Sequence, residues 1–257
     1  PNFTYRLFLK MFIRNIRGLN QWVLKSAIFN YFVDFVALVF PRICLGCGRS
    51  LLRFEKMLCL QCLYRLPETK YHMFEENPVE KIFWGRIRIE RAASFLFFNK
   101  GGLTQKLLHA LKYKKCREAG LFLGEIYGQK LKEASPFCDA DLIIPVPLHP
   151  RKKRKRGYNQ SEVIAKGLSR NLNIPVKNDI LLRKHYSKTQ TKKNRFQRWK
   201  NVETIFTIKE QVDLEDKHIL LVDDVVTTGA TLEACTRSII TNTGSSVSIL
   251  TIAYAWK

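Results

Sequence analysis

Residues 219–222 form a continuous β-prone apolar run, the pattern of a parallel strand buried on both faces, and the strand it predicts ends at Asp223. Residues 247–254 have the same apolar character, and 141–146 form a third, shorter strand that stops at Pro145 and Pro147. The alternation and aromatic content of 86–98 predict strands entering the domain. Helical period appears in 103–113, where positions 103, 107, 108 and 111 are apolar, and further helices are expected over 117–132, from about Asn159, and from Leu232 to about Thr243. Gly244 then turns the chain into the last strand. Strand, helix and returning strand over 219–254 make a βαβ unit and predict a parallel sheet. No internal repeat or low-complexity linker interrupts the chain.

With 257 residues, 46% of them hydrophobic, the chain can build one sizeable α/β core plus a small appended module. The expected division is a helical N-terminal segment over 1–43, a cysteine module over 44–66 and the main domain over 67–257. A net charge of +22 and a pI near 9.9 exclude a neutral metabolite enzyme without special habits and favour polyanions, whether nucleic acid or phosphorylated substrates. Lys25, Asp34 and Arg42 interrupt the apolar stretches ahead of the core, which leaves none near the ~20 residues of a membrane span. Residues 3–17 place Arg6, Lys10, Arg14 and Arg17 among apolar residues at helical spacing. Such a helix can make a peripheral contact with an anionic membrane or dock on the protein's own core. No secretory cleavage pattern is present, so a cytoplasmic location is expected, with residues 3–17 as the membrane-peripheral element.

Four of the seven cysteines fall as Cys44-x-x-Cys47 and Cys59-x-x-Cys62, with Gly46 and Gly48 in the first knuckle. This is the spacing of a tetrahedral structural Zn2+ site, in which four thiolates leave no position open for substrate. Disulfides are the alternative. Arg42, Arg49, Arg53 and Lys56 surround the module with only Glu55 opposing them, so it is either a nucleic-acid contact or a stapled platform.

Chemistry concentrates at 223–231. Asp223 and Asp224 close the strand, and Thr227, Thr228, Gly229 and Thr231 open the following helix with hydroxyls and backbone N–H groups that suit a phosphate. Two adjacent carboxylates repel phosphate but can accept hydrogen bonds from vicinal sugar hydroxyls. A strand end with threonine caps is the plainer alternative. Six consecutive cations, 151–156, follow the 141–146 strand as a basic loop, a second anion-binding edge where α/β sheets place ligands. Arg151, Arg154 and Arg156 are candidates for neutralising a leaving pyrophosphate, and a solvated, DNA-attracting stripe is the competing reading. Residues 183–200 hold eight Lys or Arg and no acid, interleaved with Tyr186, Phe196 and Trp199, a composition suited to single-stranded nucleic acid.

The 219–231 run resembles the 5-phosphoribosyl 1-pyrophosphate (PRPP) motif of type I phosphoribosyltransferases. Together with 144–150, 156–160, Thr189-Gln190-Thr191, Arg195, Asn201 and the four-cysteine unit, it is similar to the ComF (competence protein F) family over roughly 40–257. The resemblance implies a Rossmann-like parallel sheet with a small N-terminal zinc ribbon. It also implies a PRPP and Mg2+ site formed by Asp223, Asp224, Val225, Thr227, Thr228, Gly229, Ala230 and Thr231. Val146 and Pro147 would supply the pyrophosphate turn, and Arg151 and Arg156 would lie on a mobile loop. Single-stranded DNA is an implied partner, through Arg154, Lys155, Lys192, Lys193, Arg195, Arg198 and Trp199, as are helicase or channel proteins of competence. Two functions stay open: a phosphoribosyltransferase of DNA uptake, or a non-catalytic DNA-binding protein that keeps the fold as a PRPP sensor or phosphate site.

Overall fold

The computed structural model describes residues 40–114, 116–132, 136–183, 205–209 and 212–255. The chain divides into two compact units, Pro1–Gln61 and Cys62–Lys257, so the break falls inside the cysteine module, within helix α1 (Leu60–Tyr64).

The larger unit is built on β1 (Ala92–Phe97), β2 (Leu142–Pro145), β5 (His218–Val226) and β6 (Ser246–Tyr254), in the spatial order β1-β6-β5-β2 with every neighbouring pair parallel. Parallel neighbours require crossovers, and helices provide them. α3 (Leu103–Tyr113) and α4 (Arg117–Leu131) lie between β1 and β2 in sequence. α5 (Pro150–Arg156) and α6 (Gln160–Leu172) follow β2, and α7 (Ala230–Thr243) joins β5 to β6. A single parallel bridge, Ile143 to Val176, continues the sheet beyond β2. A separate antiparallel pair, β3 (Leu181–Arg183) with β4 (Phe206–Ile208), sets Arg183 opposite Phe206. The short α2 (Pro78–Lys81) starts from a complete capping box: Asn77 accepts from the Val79 and Glu80 amides, and Glu80 reaches back to the Asn77 amide.

Ile219, Leu220, Leu221 and Val222 are fully buried. At roughly 2 kcal/mol for each buried side chain of this size, they fix where the polar residues that follow must emerge. Three sequence expectations change here. β5 continues through Asp224 to Val226 rather than ending at Asp223, because β6 runs alongside and pairs Val225 with Ala253 and Val226 with Tyr254. α7 starts at Ala230, two residues before the expected Leu232, because Gly229 takes φ 73° and serves as its N-cap. Within 86–98 the strand is confined to Ala92–Phe97, since the Arg86 and Ile87 amides turn back onto the Phe83 carbonyl at 3.0 and 3.2 Å.

Candidate functional site

The carboxylate pair stands near the C-terminal end of β5, held from two helices. Asp223 Oδ1 accepts from the Ser161 hydroxyl at 2.8 Å and from the Asp224 amide at 2.8 Å. Asp224 Oδ2 pairs with Lys112 Nζ, on the last turn of α3, also at 2.8 Å. Ser161 is placed by Asn159, the N-cap of α6, whose side-chain oxygen accepts from the Ser161 amide while its Nδ2 donates to the Val146 carbonyl at 2.9 Å. The Val146 amide in turn donates to Val222 at 2.9 Å. The turn at Val146 and Pro147, the start of α6 and the carboxylate end of β5 therefore form one hydrogen-bonded unit. Burial, followed by the neighbouring Asp224 carboxylate, pushes Asp223 up to about 7, against the opposing pull of Ser161, the Asp224 amide and Lys112.

Past Val225 and the buried Val226, Thr227 and Thr228 lead to Gly229, whose left-handed backbone opens α7 with no side-chain cap. The first N–H groups of α7, from Ala230 and Thr231 onward, have no intrahelical acceptors. A Cβ at Gly229 would lie 2.6 Å from Ile82 Cγ2 and 2.9 Å from Phe83 Cε1, so one side of this turn is packed against the 82–86 segment. Arg86 reaches across from that segment: its Nη1 donates to the Thr228 carbonyl at 2.8 Å, and its Nη2 pairs with Glu233.

The cations of 151–156 correct the sequence reading. They form helix α5 rather than a basic loop. The physical reasons are local: Pro150 occupies the first turn, His149 Nδ1 accepts from the Arg151 amide at 3.2 Å, and Gly157 ends the helix in the left-handed conformation. His149 is thus a capping group. Arg156 alone of the six is half-buried, donating to Gln160 at 2.7 Å and lying over the Tyr113 ring, whereas Arg151, Lys152, Lys153, Arg154 and Lys155 are exposed. Lys192, Lys193, Arg195, Arg198 and Trp199, the 189–191 and Asn201 signature, and residues 3–17 lie outside the described residues.

In the cysteine module the Sγ atoms of Cys44, Cys47, Cys59 and Cys62 lie within 4.8 Å of one another, and Cys47 and Cys59 approach to 3.8 Å. All seven cysteines lie among the described residues, and none of them forms a disulfide. Four sulfurs at about this separation suit tetrahedral coordination with metal–sulfur bonds near 2.3 Å. Burial raises the Cys44 thiol, but the Cys47, Cys59 and Gly46 amides outweigh it and bring the thiol down to about 6, the environment of a ligating thiolate. Glu55 ties the module together: its carboxylate accepts from the Leu52 and Leu60 amides, each at 2.8 Å, and pairs with Arg49 at 3.5 Å. Those two amides, then Arg49, hold it below the usual carboxylate range despite burial.

Ser161, Asn159, Lys112 and Arg86 were absent from the sequence-based site. Asn159 and Ser161 carried a usable signal, an Asn-x-Ser at a predicted helix start. Lys112, four residues after Leu108, sits at the edge of an apolar stripe. Nothing in the sequence connects Arg86 to a turn 142 positions away.

A parallel sheet with an interior strand that carries two held carboxylates two residues before its C-terminal end, followed by an uncapped glycine turn into a helix, defines a phosphoribosyltransferase-type protein. The phosphoribosyl transferase domain model matches residues 159–255, the stretch that contains Ser161, the carboxylates and the turn. Competence protein F of Haemophilus influenzae is 33% identical over 192 residues, 74% of each chain, and the present chain belongs to the competence protein F (ComF) family. DNA utilization protein YhgH of Escherichia coli (strain K12) is 28% identical over 211 residues, 80% of this chain and 88% of that one. Among solved structures, the glutamine PRPP amidotransferase of B. subtilis is a remote match, 21% identical over 52% of this chain and 26% of that chain with a TM-score of 0.37. No helix among the described residues is long and apolar enough to cross a membrane.

Proposed function

We propose that this protein binds PRPP with Mg2+ at the C-terminal end of β5 and acts as a phosphoribosyltransferase-like protein in DNA uptake. One observation carries the reading: two adjacent carboxylates, each with its own partner, stand directly before an uncapped helix entry. Asp223 and Asp224 would accept hydrogen bonds from the ribose 2- and 3-hydroxyls. Thr227, Thr228, Gly229, Ala230 and Thr231 would receive the 5-phosphate on hydroxyls and amides, with Val225 setting the spacing between the two halves. Val146 and Pro147 would line the pyrophosphate side, where Arg156, steadied by Gln160 and Tyr113, is better placed than the exposed Arg151. If transfer occurs, an acceptor nucleophile bonds to the anomeric carbon as its bond to pyrophosphate breaks, and the carboxylates and turn act by positioning and electrostatics. The carboxylate pair fits a divalent cation, because Asp223 is pushed up in part by its neighbour and a cation beside them relieves that repulsion. Bound with the diphosphate, Mg2+ would supply charge neutralisation for the leaving group.

The four thiols would hold structural Zn2+, which lets so short a module fold. We take 44–66 as this module, 67–257 as the phosphoribosyltransferase-like domain and 1–43 as a separate segment. Thiolate ligation of a metal suits the reducing conditions of a cytoplasmic setting, with 3–17 as a peripheral membrane contact.

The names of the relatives, competence protein F and DNA utilization protein, support a role with incoming DNA. A second reading, a non-catalytic single-stranded-DNA-binding protein that keeps the site as a PRPP sensor, is favoured by the exposed cationic face of α5, which holds no acid. Arg154 and Lys155 on that face, with Lys192, Lys193, Arg195, Arg198 and Trp199, are its DNA candidates, and a competence helicase or channel protein is the expected associate.

Calorimetric titration of PRPP with Mg2+, before and after saturation with a single-stranded oligonucleotide, tests both readings. Saturable binding lost in an Asp223→Asn, Asp224→Asn double variant that keeps its oligonucleotide affinity supports separate PRPP and DNA sites. Absence of PRPP binding in folded protein would remove the phosphoribosyl site and leave DNA binding alone.

A further inference from the structure

We infer that Arg86 is a positioning residue that latches the Thr228–Gly229 peptide in its anion-receiving orientation, an inference that rests on the proposed PRPP reading of the turn. Glycine at φ 73° has backbone freedom that other residues lack, so the peptide before it can rotate unless something holds it. Here the Thr228 carbonyl accepts from Arg86 Nη1 at 2.8 Å, while the same nitrogen donates to the Ile82 carbonyl at 3.0 Å. In a trans peptide C=O and N–H point in opposite directions. Holding the Thr228 carbonyl toward Arg86 therefore directs the Gly229 N–H to the other side of the turn.

The packing divides the turn in the same sense. Ile82 and Phe83 close one side so tightly that a single added carbon at Gly229 would overlap them. A ligand must approach from the opposite side, which is the side the Gly229 N–H is made to face. A reversed peptide would present the Thr228 carbonyl oxygen there instead, and an oxygen lone pair repels phosphate.

The guanidinium is itself fixed. Its Nη2 pairs with Glu233 in the first turn of α7. Arg237, one turn further along, donates to both Glu233 Oε1 and the Arg86 backbone carbonyl, each at 3.1 Å. The two arginines also offset the charge of Glu233, an acid that would otherwise oppose an anion at this helix start. Lysine cannot reproduce the fork that reaches Thr228, Ile82 and Glu233 together.

The test uses full-length protein labelled with 13C′-threonine and 15N-glycine, so that only Thr–Gly peptides give selected amide signals. The sequence contains two, Thr228–Gly229 and Thr243–Gly244, and the second is an internal control at the far end of α7. In Arg86→Ala the Gly229 signal should move or broaden while that of Gly244 stays in place. Affinity for ribose 5-phosphate should fall by about tenfold or more, the worth of one charge-assisted hydrogen bond, and affinity for Mg-pyrophosphate should hold. Arg86→Lys should fall between, and it serves if the alanine variant does not fold. An unmoved Gly229 signal with unchanged ribose 5-phosphate affinity overturns the latch, as does equal disturbance of both glycines and both ligands. If the wild type binds no ribose 5-phosphate, the PRPP reading fails, and the Gly229 response still decides the latch by itself.

Discussion

Replacing Asp223 by Asn should stabilise the protein at neutral and alkaline pH and leave it unchanged in acid. An asparagine oxygen keeps both acceptor contacts, from the Ser161 hydroxyl and the Asp224 amide, and only the charge is lost. Raising a carboxyl from 3.8 to about 7 amounts to roughly 4 kcal/mol at about 1.4 per pH unit, an upper limit because the buried amide also loses solvation. About half of that, some 2 kcal/mol, should appear, equivalent to a Tm gain of about 4–8 °C for a domain of this size. The sign follows from proton linkage. Below about pH 3 the carboxyl is protonated in folded and unfolded chains alike, so wild type and variant coincide. Between there and 7 the unfolded chain gives up its proton while the folded chain keeps it, so the wild type loses ground as pH rises, and the gap levels off above about 8. Thermal unfolding from pH 4.5 to 8.5, without Mg2+ or ligand, measures this directly. A gap that does not change with pH, or a variant less stable than wild type at pH 8, would refute the account of Asp223.

Two further outcomes follow from the geometry. Gly229→Ala should lower stability by about 2–4 kcal/mol, from the left-handed backbone and from overlap with Ile82 and Phe83, read as a lower Tm without ligand. Glu55→Gln should leave the large domain's unfolding unchanged but weaken zinc retention by about tenfold, followed by chelator competition, because the carboxylate that gathers the Leu52 and Leu60 amides around the cysteines loses its charge.

The four strands of the parallel sheet and the longer helices were legible because apolar runs and helical periods are local properties of the sequence, as 219–222 and 103–113 illustrate, whereas β3 and β4, three residues each, were not. The carboxylates and the turn were legible for a related reason: they occupy consecutive positions. What the sequence concealed was the support around them. Lys112 and Arg86 meet their partners across more than a hundred residues, and no local pattern encodes such a meeting. The length of β5 was missed because its last residues are strand only through β6. The basic run at 151–156 reads as a loop on charge alone, and three cap residues outside or at its edge, His149, Pro150 and Gly157, make it a helix.

The antiparallel pairing of β3 with β4 brings Arg183 opposite Phe206, so backbone pairing fixes the two ends of the intervening sequence beside each other. The entropy of closing a segment whose ends are paired grows only with the logarithm of its length, about 0.6 kcal/mol for each doubling. A change in the number of residues between these strands therefore costs little closure entropy. The β3–β4 pair is separate from the parallel sheet, so such a change leaves the register that carries Asp223 and Asp224 as it is.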